Sequence, residues 1–312
     1  MEATKQLNQD LSPEMFQPGE VRPEERNGLT GKHVGYWTDV WRRFRSNKGA
    51  IIGFTILLVV GFLALFGQHF VPYDYQTQNY SILNKEPFGN HYFGTDNFGR
   101  DLWARTWYGA RISLTIAFLA VFIDMTIGVT FGAISGYFGG KVDTVMQRIL
   151  EVMYCIPQLI ILILLMLYFE PGIVPIAIAM GITGWVPMAR IVRAQVMRLK
   201  EQEFVLAART LGASHGRLLL KHLLPNVMGP IIVAITFSIP QAIFFEAFLS
   251  FIGLGINPPA ASLGMLVNDG FKNLQLFPYQ VFYPGLVLGL IMLSFNLLGD
   301  GLRDALDPKL RR

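Results

Sequence analysis

Six runs of apolar residues, at about 50–70, 112–134, 150–169, 173–190, 228–250 and 282–300, leave this chain few folds to choose from. A helix rises about 1.5 Å per residue, so roughly 20 apolar residues cross the hydrocarbon layer of a bilayer. The runs are continuously apolar rather than alternating, which disfavours a β-barrel. The expectation is therefore an all-α, polytopic membrane helix bundle of six transmembrane helices. Composition agrees: 52% of the residues are hydrophobic and 15% are charged, against about 25% charged in a soluble domain.

Between the third and fourth runs stand only Glu170, Pro171 and Gly172, a turn signal that predicts a tight helical hairpin. Orientation follows from the basic residues, which concentrate on the cytoplasmic side. Arg42, Arg43, Arg45 and Lys48 precede the first run. Arg193, Arg198, Lys200, Arg209, Arg217 and Lys221 fill the segment after the fourth, and Arg303, Lys309, Arg311 and Arg312 close the chain. The opposite side would carry Lys85, Arg100, Arg105, Arg111 and Lys272. Both termini are thus expected in the cytoplasm of a multi-pass membrane protein. The division is a cytoplasmic tail over 1–49, a first span over 50–70 and an extracytoplasmic loop over 71–111. A core over 112–300 follows, then a cytoplasmic tail over 301–312. The polar start of the chain, with Pro13, Pro18 and Pro23, does not read as a signal peptide.

Several chemistries find no residues here. Gly31-Lys32 is followed by His33 and no glycine stands five residues earlier, so there is no phosphate-binding loop of the usual type. No His-Glu-x-x-His or Gly-x-Ser-x-Gly appears, and the one cysteine, Cys155, reads as a packed apolar side chain. No catalytic residue and no metal site is expected. The modest net charge of +4 marks topology rather than nucleic acid.

Small residues recur in the spans, and Gly128 with Gly132 allows close contact between helices. Three polar residues inside spans are candidates for a translocation path: Asp124, Glu246 and Asn296. A carboxylate at the centre of a membrane helix costs about 2.5–3.5 kcal/mol and must face protein or water. Asp124 and Glu246 therefore either line a polar path or bond between helices.

Residues 201–225, EQEFVLAARTLGASHGRLLLKHLLP, carry the strongest functional signal. They predict two short helices joined at Gly212, the second capped by Ser214 and limited by Pro225. Ala207 and Ala208 would form a small flat patch flanked by Phe204 and Leu211. Such a surface suits a groove on a partner or an anionic membrane face.

This loop resembles the EAA loop of ABC importer permeases. Ala207, Ala208 and Gly212 stand at the family's spacing and Leu224-Pro225 close it. Leu206 replaces the expected Glu, His222 sits near an expected Ile, and Glu203 lies one turn earlier. Trp41 to Lys48, Gly94-Thr95-Asp96 with Gly99-Arg100-Asp101, Gly109 to Leu114, Leu249 to Gly255 with Pro258-Pro259, and Gly299 to Pro308 extend the resemblance over roughly 37–310. Together they are similar to the C-type permease subunit of oligopeptide and dipeptide ABC importers. The resemblance implies a type I importer fold, with its core in the second to sixth spans. It implies a non-catalytic half-pore in the bacterial plasma membrane, in a heterodimer with a second permease. It also implies two ATPase subunits holding ATP and Mg, an extracellular peptide-binding protein and a peptide cargo, with no cofactor on this chain. Glu203, Leu206, Ala207, Ala208, Arg209, Leu211 and Gly212 would couple it to the ATPases. A six-helix secondary transporter or channel is the alternative, for which midplane charges and internal repeats are sparse.

Overall fold

The computed structural model describes residues 35–307. Residues 1–34 of the expected 1–49 tail and the closing residues 308–312, with Lys309, Arg311 and Arg312, lie outside that range. Helices carry the fold. Among the described residues the strand-like pairings are two isolated bridges, Phe88 with His91 and Thr95 with Asp101.

Helix α1 (Tyr36–Ser46) is followed directly by α2 (Lys48–Phe66), because the Asn47 side chain between them accepts the Ala50 N–H at 3.1 Å and caps the second helix. A tight turn, Gly67–Phe70, extends α2. Val40 and Phe44 of α1 pack with Ala50, Ala305 and Leu306. Helix α3 (Leu102–Phe138) is 37 residues long and starts well before the expected position 112. The reason is Asp101, whose side chain accepts the Ala104 N–H at 2.7 Å. The loop after the first span accordingly ends near residue 101 rather than 111.

The third expected span is not one helix. Helices α4 (Gly140–Cys155) and α5 (Gln158–Met166) bend by 77° across Ile156-Pro157. Proline lacks the N–H that would continue the ladder and pushes the residue before it into extended backbone. Ile156 indeed has φ −93° and ψ 124°. Cys155, expected to be packed, is exposed at this break. The chain then turns through residues 167–172 into α6 (Ile173–Leu199).

After the short α7 (Glu203–Thr210) comes α8 (His215–Phe251), which runs through Pro225 instead of stopping there. Leu218–Leu223 adopts π geometry, and the Leu224 N–H reaches back to Leu219 O. Pro225 then enters at the start of a fresh α stretch, where a missing donor costs little. Helices α9 (Leu263–Phe271) and α10 (Tyr279–Leu306) complete the chain. Among the described residues five helices, α2, α3, α6, α8 and α10, are each long and apolar enough to cross a membrane, or six if the bent α4–α5 pair counts as one span.

The seam between α3 and α6 positions everything else. Gly128, Gly132 and Gly136 recur one turn apart on α3. They lie against Trp185 and Met188, Ala189 and Val192, and Arg193 and Val196 of α6. A Cβ at Gly132 would collide with Ala189 O, so backbone meets backbone there. Ile116, Ile176, Ile243 and Ile291 from α3, α6, α8 and α10 are buried together in the main core.

Candidate functional site

Helix α7 is held by one face and open on the other. Val205 is buried with Val192 and Val196 of α6 and Leu218, Leu223 and Val227 of α8. Phe204, Leu206 and Ala207 are exposed, and Leu211 is 88% exposed. Glu203 and Arg209 are exposed as well. The helix ends as the sequence suggests. Gly212 takes φ +82°, which a side chain would strain, and its N–H donates to Arg209 O at 3.0 Å. The Ala213 N–H donates to Ala208 O at 3.1 Å, completing the paired carbonyl cap of a left-handed helix end. That closure folds Ala213 back towards Ala208, and both pack on the apolar group below. Ala208 is therefore half-buried, and the expected flat patch of two alanines is reduced to Ala207 with its apolar neighbours. Ser214 caps the next helix, its Oγ accepting the Arg217 N–H at 3.4 Å.

Both ends of the α7 segment touch the last turn of α3. Before α7, the Lys200 ammonium donates to Gly136 O at 3.0 Å. After it, Tyr137 Oη and His215 Nδ1 lie 2.6 Å apart. Beside them Arg193 forks onto both oxygens of Asp143, each bond 2.6 Å long. Ser135 Oγ donates to the same carboxylate at 2.6 Å, and Gln147 donates to Ser135 at 3.2 Å.

The three polar candidates within the spans do not come together. Glu246 of α8 is fully buried. Ser113 of α3 donates to its Oε2 at 2.7 Å and Ser250 to its Oε1 at 2.8 Å. Ser250 in turn meets Ser262 at 3.1 Å, and Ser262 caps α9 by accepting the Met265 N–H. Ser113 also accepts the Leu263 N–H at 3.2 Å. This is the interhelical alternative, tying α3, α8 and α9 together. Asp124 is different. It is 9% exposed and lies against Gly184 of α6, and its Oδ1 has no hydrogen-bond partner. Eleven residues separate it from Ser113, about 16 Å along α3. Asn296 is exposed on α10.

The 71–101 loop holds a polar core. Asp96 Oδ1 accepts the N–H groups of Phe98 and Arg100 at 2.9 Å each, and Oδ2 takes Arg100 Nε at 2.7 Å. Asp–Arg pairing thus holds a compact turn, and Gly99 serves it with φ +70° against Asn79 O. The pairing of His91 Nδ1 with Asp101 Oδ2 at 2.6 Å had no local sequence signal. Burial pushes the Asp101 carboxyl up, against the Ala104 N–H and His91, which pull it down.

The family described as binding-protein-dependent transport system inner membrane component matches residues 128–312. The chain belongs to that family. Residues 35–87 match the N-terminal TM domain of oligopeptide transport permease C. The oligopeptide transport system permease protein OppC of Bacillus subtilis (strain 168) is 47% identical over 304 residues, spanning 97% of this chain and 100% of that protein. The dipeptide transport system permease protein DppC of the same organism is 46% identical over 309 residues, or 99% of this chain and 96% of the relative. OppC of Escherichia coli (strain K12) is 39% identical over 275 residues, covering 88% and 91%. Among solved structures, the MetNI methionine ABC transporter in inward facing conformations aligns with a TM-score of 0.50 at 18% identity. It covers 64% of this chain and 94% of that one, a likeness of fold alone. As a binding-protein-dependent inner membrane component, the chain is a permease subunit of an ABC importer rather than a self-sufficient secondary transporter.

Proposed function

We propose that this permease carries oligopeptides or dipeptides, forming half of a pore whose other half is a second, similar permease. The supporting observation is that OppC and DppC relatives align over almost the whole chain, including the loop from 71 to 101 and the α7 segment. In this reading the α7 end faces the cytoplasm, both termini lie there, and an external peptide-binding protein meets the opposite face. The weight of Lys and Arg at the α7 end supports that orientation. Helix α7 then docks on an ATPase subunit that holds ATP and Mg. Its open face offers Phe204, Leu206, Ala207 and Leu211, with Glu203 and Arg209 at the rim and Gly212 fixing where the helix ends. Ala208 serves inward, as the seat of the turn. ATP-driven closure of the ATPases would shift two arrangements of the pore.

The test is Ala207→Glu, at an exposed position of that face, in a complex rebuilt with the second permease, the ATPases and the binding protein. A charge placed in an apolar docking face should lower ATPase association and peptide uptake by about 10-fold or more, the equivalent of roughly 1.4 kcal/mol. Wild-type uptake in that variant would remove α7 as the coupling element.

A further inference from the structure

The α7 segment is fastened to the membrane helices at two consecutive residues of α3. Lys200 enters from before α7 and takes Gly136 O. His215 enters from after α7 and meets Tyr137 Oη. Carbonyls in the last turn of a helix lack intrahelical donors and carry the negative end of its dipole, so an ammonium suits that place. Between the two grips, Val205 and Ala208 seat α7 on the same apolar group as Ala133 of α3. Helix α7 cannot tilt without pulling on the end of α3.

Two further features decide where such a pull goes. The glycine seam joins α3 to α6 through backbone contacts, so the two helices move as one body. Helix α4, by contrast, has Leu150 as its one buried residue. Its start is tied to that body by Asp143, through the Arg193 fork and Ser135. Its far half rests on α6 as well, with Leu150 and Met153 beside Trp185 and Val186 and the Arg190 guanidinium 4.3 Å over the Tyr154 ring, so the chain hinges only beyond it, in the 77° bend at Ile156-Pro157.

We propose that movement of α7 enters the pore at Gly136–Tyr137 through Lys200 and His215, and passes to α4 through the Asp143–Arg193 fork. These four side chains are positioning residues, and the inference rests on the coupling role proposed for α7. The readout is peptide uptake per ATP hydrolysed, in proteoliposomes holding the full complex. Three variants are compared: Lys200→Met with Tyr137→Phe, Tyr137→Phe by itself, and Asp143→Asn. Each should hydrolyse ATP within about two-fold of wild type while uptake per ATP falls at least about 5-fold, the lower range of coupling between sites. Lys200→Arg, which keeps the cation, should retain the wild-type ratio. An unchanged ratio overturns the proposal, and so does a parallel loss of hydrolysis, uptake and assembled complex, which marks a merely structural role. Tyr137→Phe removes a single oxygen and decides the matter should the double variant fail to assemble. If Ala207→Glu is harmless, the coupling role of α7 itself falls. If Ala207→Glu blocks transport but these variants stay coupled, only the present route falls.

Discussion

Replacing Glu246 separates a carboxylate that holds helices together from one that handles cargo. In Glu246→Ala the hydroxyls of Ser113 and Ser250 both lose their acceptor inside a fully buried site. Each orphaned group costs about 1–3 kcal/mol, so the pair amounts to about 2–6 kcal/mol before any cavity is counted. The damage spreads, because Ser113 also receives the Leu263 N–H and Ser250 touches the Ser262 cap of α9. Glu246→Gln keeps the shape and one acceptor, and its amide can donate to a serine oxygen, so it should cost only about 1 kcal/mol. The assay is the fraction of purified complex that survives heating in detergent, by gel filtration, with uptake measured beside it. Glu246→Ala should lose heat-resistant complex and uptake together, while Glu246→Gln keeps most of both. An alanine variant as heat-resistant as wild type yet unable to transport would refute the structural account and return Glu246 to the path.

Gly132→Val should reduce assembled permease sharply, since its Cβ would meet Ala189 O on the α6 backbone and overpacking costs about 1–3 kcal/mol or more. Gly61→Ala on α2, where nothing lies within 4 Å, should be neutral or slightly stabilising in the same yield measurement. Asp124→Asn should assemble as well as wild type while uptake falls, because its Oδ1 makes no hydrogen bond to lose. Poorer assembly of that variant would assign Asp124 to packing instead.

Apolar run length made five of the spans legible, because crossing hydrocarbon is a constraint on the sequence itself. Ser214 and Gly212 were legible too, since capping and left-handed backbone are local chemistry. The bend at Pro157 was not. The run from 150 to 169 has the length of one span, and apolarity says nothing about backbone direction. Pro225 misled in the opposite sense, as a π turn absorbed it. The early start of α3 turned on Asp101, whose capping role was hidden among glycines and charges. The α7 grips and the serine shell of Glu246 join residues far apart in sequence, and such pairs emerge only when helices are brought side by side. Ala208 shows the finer limit: its type fitted a docking patch, but the turn at Gly212 decided which way it faced.

The interruption between α4 and α5 also has a meaning for the solvent. The last carbonyls of α4, before Ile156 and Pro157, have no continuing helix to donate to them, and lipid chains can supply no donor. That point must therefore rest against protein or water, not acyl chains. The chain's one cysteine, Cys155, sits there with its side chain exposed. It is a built-in reporter: a charged, water-soluble thiol reagent that adds to it senses water at that depth. Protection in every nucleotide state would instead mean that a neighbouring subunit covers the break.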